Sequence, residues 1–540
     1  MKGNIILMSN VKLNSKKNKD NLAKKQRYSV KHALVNYYLI LMFTIFPLFY
    51  TDAYFNIRKD KYFLFLVASG IIIFSMFAIT LTYKQDSKTS LPKQSQVIQP
   101  LHNMFTIPEW AMLAFLLVSF VSTLLSPTPL YALLGTGGRN NGLLLIAVYT
   151  AVFFIVSRIY YFKEYVFLAF GVASSIVYVL AVLNSFYIDP LSMAVDLSQR
   201  DLPNFVSTIG NKNMLSSYIC VTLPVFISMS VHTNKLSKQI VYLIVSGLGF
   251  TALMAADSDS GILGLVAFFV IYLIVYARRI ARLKKYFLAL AIMFASAKII
   301  NLFIATFEKN KGFDSFQNFF ISSNAGHLLL VAVSMIAILL YIFDHIKPNT
   351  LLPKAVPIVL CAICAIAIVA AIVGIIYFTF IDTETKLKNL AGLLRINDKW
   401  GTHRGYMWIR SMWIFSDYSF IEKLFGCGPD CFYFAFQPYF EGLQKFGDSS
   451  TNAAHNEYIN YLITTGILGL GAYLTLVISV IVRAIKSAAK NPLALVFAAS
   501  VICYSVQAVV NISQPITTPL FILFLALCEA VTQNKAFNKI

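Results

Sequence analysis

In the stretch NAAHNEYINYLITTGILGLG, Asn452 to Gly471, a histidine stands at the entrance to a long apolar run. Imidazole is the side chain whose ordinary pKa lies nearest neutrality, so His455 is a candidate general base. Asn456 beside it can cap the helix or orient a ligand. Three other stretches place polar chemistry at the ends of apolar runs. In LLGTGGRNNGLL, Arg139 is the one basic residue, among Gly135, Gly137, Gly138 and Gly142. Glycine lets backbone come close to a ligand, and a guanidinium grips phosphate with two prongs. In STIGNKNMLSSYI, Asn211 and Asn213 sit at a helix start, where capping is their plain role. The same helix end attracts anions, and Lys212 adds a charge there. In HRGYMWIRSMWIF, Arg404, Trp408, Ser411 and Phe415 share one helical face and Arg410 lies to the side. The aromatic stripe by itself fits a helix lying on a membrane surface. The following GCGPDCFYFAF is expected to form a turn rather than a helix.

The elements that must position these residues are membrane spans. Of 540 residues 58% are hydrophobic and only 13% charged, and the mean hydropathy is +0.69. Apolar stretches of roughly 18–25 residues recur, the length that crosses ~30 Å of hydrocarbon. Fourteen can be placed, and in lipid runs of that length must be helical. The expectation is an all-α polytopic membrane protein in five parts: a basic tail (1–32), eleven helices (33–380), a large loop (381–454), three helices (455–533) and a short tail (534–540). Gly466 and Gly469 lie on one helical face and would let another helix pack closely. Lys298 and Glu529, ionisable groups within spans, are suspects by position.

The formal charge of +21 does not imply nucleic acid, because the basic residues fall on alternate connections. With the N-terminus inside, the inner segments carry 28 lysines and arginines and the outer ones 8, leaving aside the long loop, which translocates whatever its charge. Both ends are then cytoplasmic, and His455, Arg139, Asn211, Asn213 and Arg404 all fall outside. The lysine-rich start has no cleavage site and reads as a cytoplasmic anchor. No GxxxxGK[ST] loop appears, so ATP-driven transport has no support in the chain. The CxxC of Cys361 and Cys364 has no second ligand pair for a metal. Cys427 and Cys431, placed outside, could form a local disulfide.

Taken in order, these stretches resemble the bacterial O-antigen ligase and O-antigen polymerase superfamily. His455, Asn456, nine residues, Gly466, two residues and Gly469 match its signature. GTGGRNNG is similar to its first external arginine motif, GNKN to its GNxN motif, and HRGYMWIRSMWIF followed by LFGCGPDCF to its large-loop pattern. The resemblance spans roughly residues 105–530. It implies a glycosyltransferase of the inner or plasma membrane that takes a glycan from a polyprenyl-diphosphate carrier and passes it to a hydroxyl of a glycan or lipid-glycan acceptor. It implies no metal and no cofactor. On it His455 is the base, Arg404 and Arg139 hold the diphosphate, and Asn456, Asn211 and Asn213 contact substrate. The chain departs from the family pattern at DSDSGIL, where Asp257 and Asp259 stand in place of a second arginine, and at Leu470. Both departures favour a polymerase over a lipid-core ligase. A flippase or exporter of lipid-linked glycans would need basic residues inside several spans, and a degenerate scaffold would need no base at all.

Overall fold

The structure is a computed structural model describing residues 30–87, 104–135, 139–199, 201–307, 309–383 and 394–533. Most of the basic N-terminal tail, the 534–540 tail and much of the 84–108 loop lie outside the described residues.

Each expected span coincides with a helix. Among the described residues twelve helices are long and apolar enough to cross a membrane, and Leu143–Ile159 and Thr518–Gln533 are shorter apolar helices. Among the described residues the chain is all-α apart from one isolated bridge and a two-residue antiparallel pairing, Phe205 with Asn211 and Val206 with Gly210, that brings GNKN to the start of the Lys212–His232 helix. That helix is the centre of the fold, with nearly every residue buried, and Leu236–Ala256, Asp259–Tyr276 and Pro492–Gln507 pack around it. Ala355–Ile376 lies at the other extreme and buries none of its residues.

Inside the bundle, hydroxyls and amides are matched to one another. Gln507 Nε2 donates to Ser217 Oγ at 3.0 Å, Asn511 Nδ2 donates to Asn213 O and Ser217 Oγ at 3.0 Å each, and Ser216 meets Ser260 at 3.0 Å. Buried polar groups without partners would each cost about 1–3 kcal/mol, so this network fixes how the central helices align. Glu529 is fully buried and gripped by Arg483 through Nε at 3.1 Å and Nη2 at 2.9 Å, which makes it a structural ion pair. Lys61, also fully buried, donates to the carbonyls of Phe46, Pro47 and Phe49 at 2.8–3.0 Å and so closes the end of the first helix.

Two local expectations need correction. The turn of GCGPDCFYFAF covers only its first half, and Phe432–Phe436 is a short helix whose phenyl rings enter a small second core with Tyr406, Met407, Ile414, Leu443 and Ile463. The Trp400–Asp417 helix packs on this core, which the aromatic stripe by itself did not require. Gly466 and Gly469, in turn, do not seat a second membrane helix. Gly466 has φ +69° and breaks the 457–487 helix in two. A Cβ there would lie 2.3 Å from the Leu424 carbonyl. At Gly469 the nearest atom is Thr465 Oγ1 of the same helix.

Candidate active site

The break at Gly466 explains how the large loop is anchored. Interrupting the helix frees the carbonyls of Ile463 and Thr464. Cys427 N takes the first at 3.1 Å, and Gly428 N and Ser122 Oγ take the second at 3.0 Å each. Gly426, with φ +74°, approaches the Thr464 carbonyl as closely as Gly466 approaches Leu424, so a side chain on either would separate the two segments. Ser126 Oγ closes the contact on Cys427 O at 2.6 Å. The glycine signature therefore ties the Gly426–Cys431 turn, and with it the Trp400–Asp417 helix, to the span that His455 introduces.

His455 is held just before that span. Its φ of +50° is a left-handed conformation rare for a residue with a side chain. The flanking residues impose it. Trp408 Nε1 donates to Ala454 O at 3.0 Å, and Asn456 Oδ1 accepts from Tyr458 N and Ile459 N at 3.0 Å each. Asn456 is thus the helix N-cap, and its oxygen is engaged there. Next to it, the fully buried Glu457 carboxylate accepts from Tyr473 Oη at 2.5 Å and Tyr504 Oη at 3.1 Å, which pins three helical segments beneath the imidazole.

Arg139 and Arg404 both act on His455. Burial first, then the charges of these two arginines, lower its pKa to about 3. The imidazole is therefore neutral at physiological pH. Arg139 is 8% exposed, its Nε has no hydrogen-bond partner, and burial brings its pKa down to about 10 against the opposing pull of Asp430. Its loop is fixed by the next residues, with Asn141 N donating to Asp430 Oδ2 at 3.1 Å and Asn141 Nδ2 to Ser513 O at 2.8 Å. Arg404 follows Gly401, Thr402 and His403, all with positive φ, and is the first residue of the regular helix. Burial lowers its pKa too, against the field of Asp259. Among the described residues neither arginine makes an ion pair. Two guanidinium groups held near a neutral imidazole without close counter-ions are arranged to receive an anion beside a base.

The polar rim continues to the middle spans. Asn211 Oδ1 caps Asn213 N at 2.9 Å, and Asn213 Oδ1 accepts from Ser258 Oγ at 3.1 Å, so both amide oxygens have structural duties. The two carboxylates of DSDSG are answered by cations and amides. Lys212 lies 4.0 Å from Asp257, and Gln317 Nε2 donates to Asp259 Oδ1 at 3.3 Å. Burial pushes Asp257 above the usual carboxylate range, against the hydrogen bond it accepts from Asp314 N. Lys311 also stands by Lys212 and is lowered to about 8 by burial and that neighbour. Cys427 and Cys431 are free thiols, and burial pushes Cys427 up to about 12.

Residues 315–474 match the family model described as O-Antigen ligase. This match supports membership of the O-antigen ligase and polymerase superfamily. The matched segment holds Arg404, Trp408, the Gly426 turn, His455, Asn456 and both signature glycines, while Arg139, Asn211 and Asn213 lie before it. No curated protein matches the chain. For a member of this superfamily, a membrane role in joining glycans follows, with lipid-linked glycan and glycan acceptor as substrate classes. Sequence reading missed Trp408 as the anchor of Ala454, Asp430 as the carboxylate facing Arg139, and the Glu457 pin. The carboxylate two residues after the histidine was the one visible signal, since an acid in a first helical turn has a dipole role of its own.

Proposed function

We propose that the protein transfers a glycan from a polyprenyl diphosphate to an acceptor hydroxyl at the outer face of the cytoplasmic membrane. The observation that supports this most is the meeting of a neutral His455 with Arg139 and Arg404, which have no ion-pair partner among the described residues. In the proposed step the acceptor oxygen attacks the anomeric carbon opposite the leaving group. The carbon–oxygen bond to diphosphate breaks, the configuration inverts, and the hydroxyl proton passes to the His455 imidazole. The arginines take up the charge of the departing diphosphate. No protein carboxylate has to ionise or protonate for the step to balance.

The depressed pKa has a consequence for timing. Before donor binds, burial and, after it, two cations hold the imidazole neutral but weakly basic. A bound diphosphate offsets those cations, so the imidazole gains basicity when a substrate is in place. The distribution of lysine and arginine supports the outward orientation, and the uncompensated cations favour a transferase over an exporter, which would need such charges along its spans. Polymerisation is favoured over ligation to a lipid core by Asp257 and Asp259, whose oxygens suit sugar hydroxyls as well as they suit the lysines.

The test is a reconstituted assay with a polyprenyl-diphosphate oligosaccharide. Longer chains mean polymerase, a modified separate acceptor means ligase, and no covalent product with a folded protein removes the proposal. His455→Ala should lose about 10²–10⁴ in rate, the worth of a general base, while remaining folded and membrane-inserted. A variant that kept most of its activity would remove His455 as the base.

A further inference from the structure

At the end of the bundle opposite His455, a cavity of about 530 Å³ opens between three connections. Asn234 comes from the connection after Lys212–His232, Arg279, Arg282, Lys284 and Lys285 from the start of Ile280–Thr306, and Asn349 and Thr350 from the turn after Asn324–Ile346. The connections are stapled together. Ile280 N donates to Thr350 O at 3.4 Å and Leu352 N to Arg278 O at 2.8 Å, with a bridge pairing Arg279 and Leu351. The cavity is thus a built feature, not a gap between loose loops.

Its charge is one-sided. Among the described residues, the one ion pair of its basic lining is that of Lys284 with Asp344. Arg282 spends a donor on Val231 O at 2.7 Å and Lys285 one on Thr233 O at 2.6 Å. A guanidinium has five N–H donors and an ammonium three, so most remain available. Arg279 is exposed and has no side-chain bond among the described residues. The rim is apolar where it meets the outer surface of the bundle. Leu351 is exposed in the lining, and the exposed Ile346 and Phe343 continue that surface down the adjoining helix.

We propose that this pocket binds the phosphate headgroup of an anionic phospholipid from the adjoining leaflet, with Arg279, Arg282 and Lys285 around the phosphate and Asn349 and Thr350 available to the glycerol oxygens. A free phosphate shares the ionic chemistry, but the apolar rim beside the cations matches a ligand carrying acyl chains. A basic pocket between helices at a membrane end is a recognised way to hold such headgroups. Bound lipid would bridge the three connections and oppose the mutual repulsion of the cations. The inference does not depend on the transfer reaction.

The full chain in phosphatidylcholine nanodiscs should gain thermal stability when phosphatidylglycerol is added, and should retain that lipid in native mass spectrometry. Arg279→Gln should weaken retention about five-fold, the effect of one basic residue near an anionic surface, and Arg279→Lys should largely restore it. Its melting point in phosphatidylcholine alone should be no lower than that of wild type, which shows the variant folds. Equal retention of the two lipids by wild type, or unchanged retention by Arg279→Gln, would overturn the proposal. Equal protection by millimolar inorganic phosphate in phosphatidylcholine would overturn the lipid as the ligand.

Discussion

The cations of the helical bundle fall into two groups, those matched with a carboxylate and those left bare. At the end away from His455, Arg483 is matched with Glu529, Arg158 with Glu109, Lys284 with Asp344 and Lys238 with Glu164, while Arg279, Arg282 and Lys285 of the basic pocket are not matched among the described residues. At the His455 end, Arg139 and Arg404 have carboxylates in the neighbourhood but none in contact among the described residues, and the backbone is left-handed at Asn140, Asp257, Thr402, His403, Asp430 and His455. Strained backbone and uncompensated charge both cost stability and persist where the surrounding structure holds them for another purpose. The matched pairs therefore serve the fold, whereas the bare arginines around His455 suit a ligand.

Substituting one arginine at each end should separate those purposes. Arg404→Ala should reduce glycan transfer by about 10²–10³, the range for removing one preorganised donor to a developing anion, with little loss of stability. Arg483→Ala should do the reverse. It strands the buried Glu529 carboxylate, which costs about 3 kcal/mol given that Arg483 is a third exposed, while activity per folded molecule holds. Thermal unfolding and transfer measured on both variants give a two-by-two result. If Arg404→Ala proves to be the one that unfolds, the contrast between matched and bare cations fails.

Glycines of one helix allow a sharper version. Gly466→Ala must adopt φ +69° and push its Cβ into the Leu424 carbonyl, so it should cost about 3 kcal/mol and release the Gly426 turn. Gly471 meets nothing within 4 Å, and Gly471→Ala should be neutral or slightly stabilising through helix propensity. Limited proteolysis of the large loop would report the difference, and equal sensitivity in both variants would contradict the anchoring role.

The bundle was readable in the sequence because hydropathy acts over twenty residues at a time, and a helix such as Ala355–Ile376 can be little else in lipid. Candidate site residues stood out in the sequence where a motif placed them at span ends, as with His455, Arg139 and Arg404. What they do was less plain. For Asn456, Asn211 and Asn213 both capping and substrate contact were legible, and the structure shows their oxygens holding helix starts and a serine. Gly466 was expected to seat a helix and instead breaks one, because positive φ leaves no mark in periodicity. Trp408 read as part of a stripe, since its partner Ala454 is a backbone carbonyl far along the chain. Pairings of that kind depend on the tertiary fold and carry no local signal.

Trp408 gives the next prediction in size. Trp408→Phe keeps the ring and removes the donor to Ala454 O. Losing one buried hydrogen bond is worth about 1–2 kcal/mol, so kcat should fall roughly ten-fold. KM should move little, because the arginines proposed to hold the donor are untouched. A change confined to KM would place Trp408 in substrate binding instead.

The smallest expected effect tests the electrostatics directly. Transfer requires the neutral imidazole, so activity must fall as pH drops through the His455 pKa. Since that pKa is lowered to about 3, kcat/KM, which reports the free enzyme, should stay level well below the ordinary histidine value of 6.5. Arg404→Gln removes one of the two cations that keep a proton away, so its acid limb should move to higher pH. The shift should be partial, because burial is the larger cause and Arg139 remains. The direction is the decisive part. An acid limb near 6.5 in wild type, unmoved by the substitution, would mean that the arginines and the histidine do not feel each other, and that the uncompensated charge at this end serves something other than the base.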